Sequence, residues 1–144
     1  LTNNSWFMGE DMCLVAQWHG ELADKIAYQV VNSPILYPYN HLYRYWPGPN
    51  SNTYIQTMLT NAGVDFLLAP VAIGKDYIGW CKYKNSSTLR QWYSPMVSLS
   101  CLKGKQYHLS IFGLTFGVTL RPFMLCWPLS KPKPMKNSDI TEHD

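Results

Sequence analysis

The sequence predicts an α+β domain, two amphipathic helices packed on an antiparallel sheet. Apolar residues recur at helical spacing over Glu21 to Asn32 and again over Ser51 to Ala62. From Val97 onward the period drops to two, as in strands with two distinct faces. With 144 residues and no internal repeat, the chain has the length of one domain that builds its own core. We assign residues 1–129 to that domain and 130–144 to a flexible tail of Pro, Lys and acidic residues.

Trp6 to Gly9 reads as a loop and Met12 to Trp18 as a short apolar segment of strand character, broken by His19-Gly20. In the first helix Leu22, Ile26 and Val30 stack at i, i+4, i+8. Glu21 and Lys25 pair on the other side, and Asn32-Ser33-Pro34 stops it. Ile35 to Trp46 is too aromatic for an ordinary loop and too interrupted for a strand, and Pro47-Gly48-Pro49 forces a rigid turn. The second helix sets Ile55, Met58, Leu59 and Ala62 inward, with Gln56, Thr57, Thr60 and Asn61 outward. Asn50 or Ser51 caps its start and Gly63 its end. Val64 to Gly79 connects, and Trp80 to Ser94 reads as polar and irregular. Val97, Leu99 and Cys101 alternate into a turn at Lys103-Gly104-Lys105, and Tyr107, Leu109 and Ile111 alternate back. Phe116 to Leu120 and Phe123 to Trp127 add further strands.

The hydrophobic fraction of 47% against 15% charged and 15% aromatic leaves two readings open: a surface covered by a partner, or a small ring-rich core. A net charge of +3 does not argue for nucleic acid. Cys13, Cys81, Cys101 and Cys126 have neither zinc-ligand spacing nor a His at ligand distance, so no metal or cofactor is expected. No apolar run reaches the roughly 18 residues of a membrane span. A chain that begins at Leu1 implies a segment upstream.

Trp46-Pro47-Gly48-Pro49-Asn50-Ser51-Asn52-Thr53-Tyr54 resembles the W-P-G-P-N-S-N-T-F signature of a bacterial family of unknown function, domain-of-unknown-function family 3750. Ala72-Ile73-Gly74-Lys75-Asp76-Tyr77 is similar to that family's A-I-G-K-D-Y, and Phe112 to Gly117 with Arg121-Pro122-Phe123 to its closing strand region. The resemblance implies no activity. It does imply a further N-terminal strand bearing a His, which this chain does not show before Trp6. The layout around Asn50-Ser51 also resembles permuted papain-like folds, in which a Cys follows Asn at a helix start and a His comes from a neighbouring strand. Here Ser51 stands in place of that Cys.

Ser51 is therefore the candidate catalytic residue: a hydroxyl in the first turn of a helix, where the dipole favours developing negative charge. Ser, Asn and Thr in these positions are also what capping requires, which is their ordinary role. His19, His41 and His108 are the candidate bases. His108, opposite in phase to Tyr107 and Leu109, is expected to face out. Trp46, Asn50, Asn52, Thr53, Lys75, Asp76 and Tyr77 are the candidate binding residues, with Lys75-Asp76 expected in a solvated turn.

Two functions follow from these readings. The first is a non-catalytic interaction or accessory domain in a larger assembly, with other protein subunits as partners and association with a membrane assembly open to it. The alternative is a serine-dependent hydrolase or acyltransferase built on Ser51. A small anion site at the same helix start needs no base.

Overall fold

The computed structural model describes residues 14–121 and 123–128, so the expected loop at Trp6 to Gly9, Met12, Cys13 and the 130–144 tail lie outside the described residues. The order is α1 (Gly20–Val31), α2 (Ser33–Leu36), α3 (Ser51–Asn61), then β1 (Lys82–Asn85), β2 (Leu89–Tyr93), β3 (Val97–Leu102), β4 (Gln106–Ile111), β5 (Leu114–Leu120) and β6 (Phe123–Cys126). The strands form one antiparallel meander in sequence order, and the α+β class holds. No helix among the described residues is long and apolar enough to cross a membrane.

Helix α1 lays Leu22 and Ile26 against Leu59, Ala62 and Val64, with Trp18 and Phe66 closing the cluster edge to face at 5.6 Å. Helix α3 ends in a Schellman motif: Val64 N–H reaches Leu59 O at 3.0 Å and Gly63 N–H reaches Thr60 O at 3.1 Å. Gly63 sits at φ +79°, which its missing Cβ permits. The inward stripe of α3 is broader than its apolar residues. Met58, Leu59 and Ala62 are buried, but so are Gln56 and Thr60, while Ile55 is exposed. Gln56 is buried because it binds the returning chain at both ends, donating to Phe66 O (2.9 Å) and accepting from Leu68 N (2.8 Å).

Two segments differ from expectation. Leu14 to Trp18 form no strand, and Trp80 to Ser94 hold the first hairpin, β1–β2. Its turn is closed by Ser86 Oγ, which donates to Leu89 O and accepts from Leu89 N, both at 3.0 Å. The later turns use positive φ at Lys103 and Gly104 in the three-residue β3–β4 connection, and at Phe112 and Gly113 in the two-residue β4–β5 connection, where both central residues at positive φ match strand twist.

Residues 64–79 lie between the helices and the sheet. Leu67 meets Leu89 and Leu102 of the sheet's covered face. An aromatic relay runs from Tyr54 of α3 through Tyr37, Tyr39 and Tyr77 to Tyr93 of β2, each step edge to face at 5.1–5.5 Å.

Away from Leu89 and Leu102 the covered face of the sheet is largely polar. One cross-strand row reads Gln91, Ser100, His108, Gly117, and the next Tyr93, Ser98, Ser110, Thr115. All of these are buried. The opposite face carries Tyr83, Trp92, Leu99, Leu109 and Phe116 in one row, and all five are exposed. The alternation in the sequence is real, but its apolar phase faces solvent.

Candidate functional site

The two sequence blocks that carry the family resemblance meet at the start of α3. Asn50 is the N-cap: its Oδ1 accepts from Thr53 N, and Thr53 Oγ1 accepts from Asn50 N, both at 3.1 Å, a reciprocal capping box. Asn50 Nδ2 then donates to Tyr45 O and Ile73 O, each at 2.9 Å. Asn52 Nδ2 donates to Ile73 O at 2.9 Å, and Thr53 Oγ1 donates to Gly74 O at 2.6 Å. One short run of the chain thus caps its own helix and holds residues 73–74. Gly74, at φ +85°, lies so close to the Asn50 amide that a Cβ there would stand 2.9 Å from Asn50 Cγ. Gly48 is as constrained, with Tyr77 Cβ 2.9 Å from where its own Cβ would be. The Trp46–Pro47 and Gly48–Pro49 bonds are both cis.

Beyond Gly74 the chain turns onto the polar face of the sheet, and Lys75 (2% exposed) and Asp76 (6%) are buried rather than solvated. The reason is the ladder beneath them. Ser110 Oγ donates to Asp76 Oδ2 at 2.7 Å, Ser100 Oγ to Oδ1 at 3.0 Å, and Gln91 Nε2 to the Asp76 carbonyl at 2.7 Å. Lys75 Nζ completes the set at 2.7 Å from Oδ2. Burial alone would raise the Asp76 pKa, but the adjacent Lys75 charge, the hydrogen bonds from Lys75 and Ser110, and nearby His108 hold it below the usual carboxylate value.

His108 faces inward beside this pair, 5% exposed, because its strand presents its polar phase to the core. Its ring packs on Gly117, where a Cβ would come within 2.8 Å. Its Nδ1 is buried with no hydrogen-bond partner. Burial, and then the Lys75 charge, lower its pKa to about 4, against the pull of Asp76, so the imidazole is neutral at pH 7.

The structure therefore gathers Asn50, Asn52, Thr53, Lys75, Asp76 and Tyr77 into one assembly. Trp46 stands over its edge, beside Gly113. A cleft among Trp46, Gly74, Asp76, Ser110 and Thr115 is about 20 Å³, room for about one water. Ser51 stands apart: it is exposed at the first position of α3, and the capping duty falls to Asn50 and Thr53. His19 caps α1 by position and His41 lies on a turn, both exposed. Sequence reasoning missed Gln91, Ser100 and Ser110, although the alternation of Ser100 with Leu99 and Cys101 and of Ser110 with Leu109 and Ile111 was visible. Among the described residues no group of three or more His, Cys, Asp or Glu gathers as metal ligands do.

No curated protein and no solved structure matches the chain. A family model does match, over residues 1–77, a span that includes both the capped helix start and the Lys75-Asp76 turn, while the third resembling block lies beyond it. That span is more than half of the chain, and the protein belongs to the DUF3750 family, described as proteins of unknown function.

Proposed function

We propose that this chain is a non-catalytic interaction or accessory domain that docks in a larger assembly through the outward face of its sheet. The observation that carries the reading is the inverted sheet. Strand residues of one phase, among them Trp92, Leu99, Leu109, Phe116 and Leu125, stand exposed on one continuous surface, and Leu99 is 51% exposed. Scattered apolar residues need no explanation, but a contiguous apolar face usually marks an interaction site. Covering each half-exposed side chain is worth about 1 kcal/mol. The other surfaces support the same reading, since the Lys75-Asp76 assembly is closed by its own hydrogen bonds and leaves no open cleft beyond one water.

The test is uptake of an apolar-surface dye by the folded chain. We expect strong uptake, reduced in Leu99→Ser/Leu125→Ser. A wild-type chain that takes up no dye ends the reading.

One observation favours the alternative, a Ser51-dependent hydrolase or acyltransferase. The Ser51 hydroxyl is exposed at the positive end of α3 and is not used for capping. A fluorophosphonate that labels the wild type but not Ser51→Ala would support it, and no labelling would remove it.

A further inference from the structure

We propose that the outward sheet face docks on an anionic phospholipid bilayer, with its apolar rows against acyl chains and Arg90, Lys105 and Arg121 against headgroup phosphates. The proposal rests on the reading of that face as the docking surface and names what it docks on.

Charge is the first argument. From Asp76 to Asp139 the sequence has no intervening Asp or Glu, yet the strands and turns of the sheet carry Lys82, Lys84, Arg90, Lys103, Lys105 and Arg121. In an antiparallel meander the β1–β2, β3–β4 and β5–β6 turns fall at one end of the sheet. That end therefore collects Arg90 at the start of β2, Lys103 and Lys105 in the second of these turns, and Arg121 in the third. Leu120 N–H donates to Lys105 O at 2.8 Å, which sets the second and third turns side by side. Lys103 is paired with Asp65. Lys84 donates to Asn61. Arg90, Lys105 and Arg121 have no ion-pair partner among the described residues.

Shape is the second argument. A groove of about 700 Å³ lies at the basic end, lined by Ser86, Ser87, Arg90 and Lys103. A second, of about 560 Å³, runs along Trp92, Leu99, Leu109 and Phe116. Both are bounded by Arg90, Cys101 and Tyr107, so a cationic end passes directly into an apolar trough. A phosphate head with an attached acyl chain has the same order of parts. Tyr107 stands where the two meet, exposed, as ring side chains do at the level of headgroups.

The same facts disfavour other occupants. A second copy would cover the apolar rows, but its own sheet brings no acid to answer Arg90, Lys105 and Arg121. An acidic protein needs roughly one hydrogen bond per 100–200 Å² of contact, and in the outward row only Tyr83 and Trp92 at one end offer a side-chain donor, whereas Leu99, Leu109 and Phe116 offer none. A fluid acyl layer needs none.

The experiment is co-sedimentation of the full chain with vesicles of phosphatidylcholine alone, and with vesicles of phosphatidylcholine mixed with phosphatidylglycerol. We expect binding to the mixed vesicles, far less to the neutral ones, and weakening as salt rises. Arg90→Ser/Lys105→Ser should lower affinity for the mixed vesicles by about 25-fold, at about fivefold per basic residue near an anionic surface. Leu99→Ser/Leu125→Ser should lower it too, and both variants should keep the wild-type circular dichroism because the replaced side chains are exposed. Equal binding to both vesicle types, or folded variants that bind as the wild type does, overturns the proposal. So does binding to polyglutamate without binding to vesicles, which assigns the basic end to an acidic polypeptide. Dye uptake by the same samples separates the two readings. Uptake lost in Leu99→Ser/Leu125→Ser without vesicle binding overturns the lipid partner and leaves the docking face standing, whereas absent uptake overturns both.

Discussion

Lys75 and Asp76 lie 2.7 Å apart beneath the 72–77 turn, out of contact with water, so removing either charge strands the other. Asp76→Asn leaves a buried ammonium without a counter-charge and is expected to cost about 3–5 kcal/mol in a urea titration. Adding Lys75→Met should recover most of that loss, because the stranded charge is then gone. A recovery of nothing would mean that the serine hydrogen bonds, and not the pair, hold the turn. His108 beside them sets the response to acid. Its folded pKa of about 4 lies below the unfolded 6.5, so the unfolded chain takes up a proton that the folded chain refuses. Stability is therefore full above about pH 6.5 and falls as pH drops toward 4, by on the order of 3 kcal/mol across the window. Asp76, whose folded pKa is lowered, adds its own loss only as pH falls below its ordinary 3.8. His108→Gln should flatten the profile between pH 6.5 and 4 while leaving the steeper loss below it, and an unchanged slope would place the proton uptake elsewhere.

At the scale of the element, the start of α3 separates a structural residue from an uncommitted one. Asn50→Ala removes the acceptor for Thr53 N and the donor to Tyr45 O and Ile73 O, so about 2 kcal/mol should be lost in thermal unfolding. Ser51→Ala, one residue later but exposed and outside the cap, should shift stability by no more than about 0.5 kcal/mol. Equal losses in the two would show that the hydroxyl shares the capping. The limits of α1 and α3 and the β3–β4 hairpin were legible because periodicity, caps and turn glycines are local. The β1–β2 hairpin was not, since Leu89, Gln91 and Tyr93 face in while Arg90 and Trp92 face out, and no apolar alternation survives that mixture. His108 shows a different limit. Its phase opposite Tyr107 and Leu109 was correct, but alternation reveals which residues share a face and not which face is covered. The covered face was decided by Asp76, 34 residues before Ser110 in sequence and bonded to it only in the folded chain.

In the whole molecule, the sheet buries a polar ladder and presents most of its apolar rows to the outside, the reverse of the usual one-sided antiparallel sheet. That arrangement reverses the expected effect of substitution. In an ordinary sheet Leu→Ser on the apolar phase opens a cavity and costs several kcal/mol, whereas Ser→Val on the polar phase is a mild surface change. Here Leu99 and Leu125 are more than half exposed, so Leu99→Ser/Leu125→Ser should alter stability by less than about 1 kcal/mol in urea. Ser110→Val, on the other phase, removes the 2.7 Å donor to Asp76 Oδ2 and leaves a buried carboxylate short of a partner, for a loss of about 2 kcal/mol. Ser100→Val should behave likewise, and less strongly, since its bond to Oδ1 is 3.0 Å long. Denaturant titrations of these three variants against the wild type decide the matter. If the serine variants are neutral and the leucine variant unfolds readily, the apolar rows are the core in solution, and a surface that buries them within this chain takes the place of a docked partner.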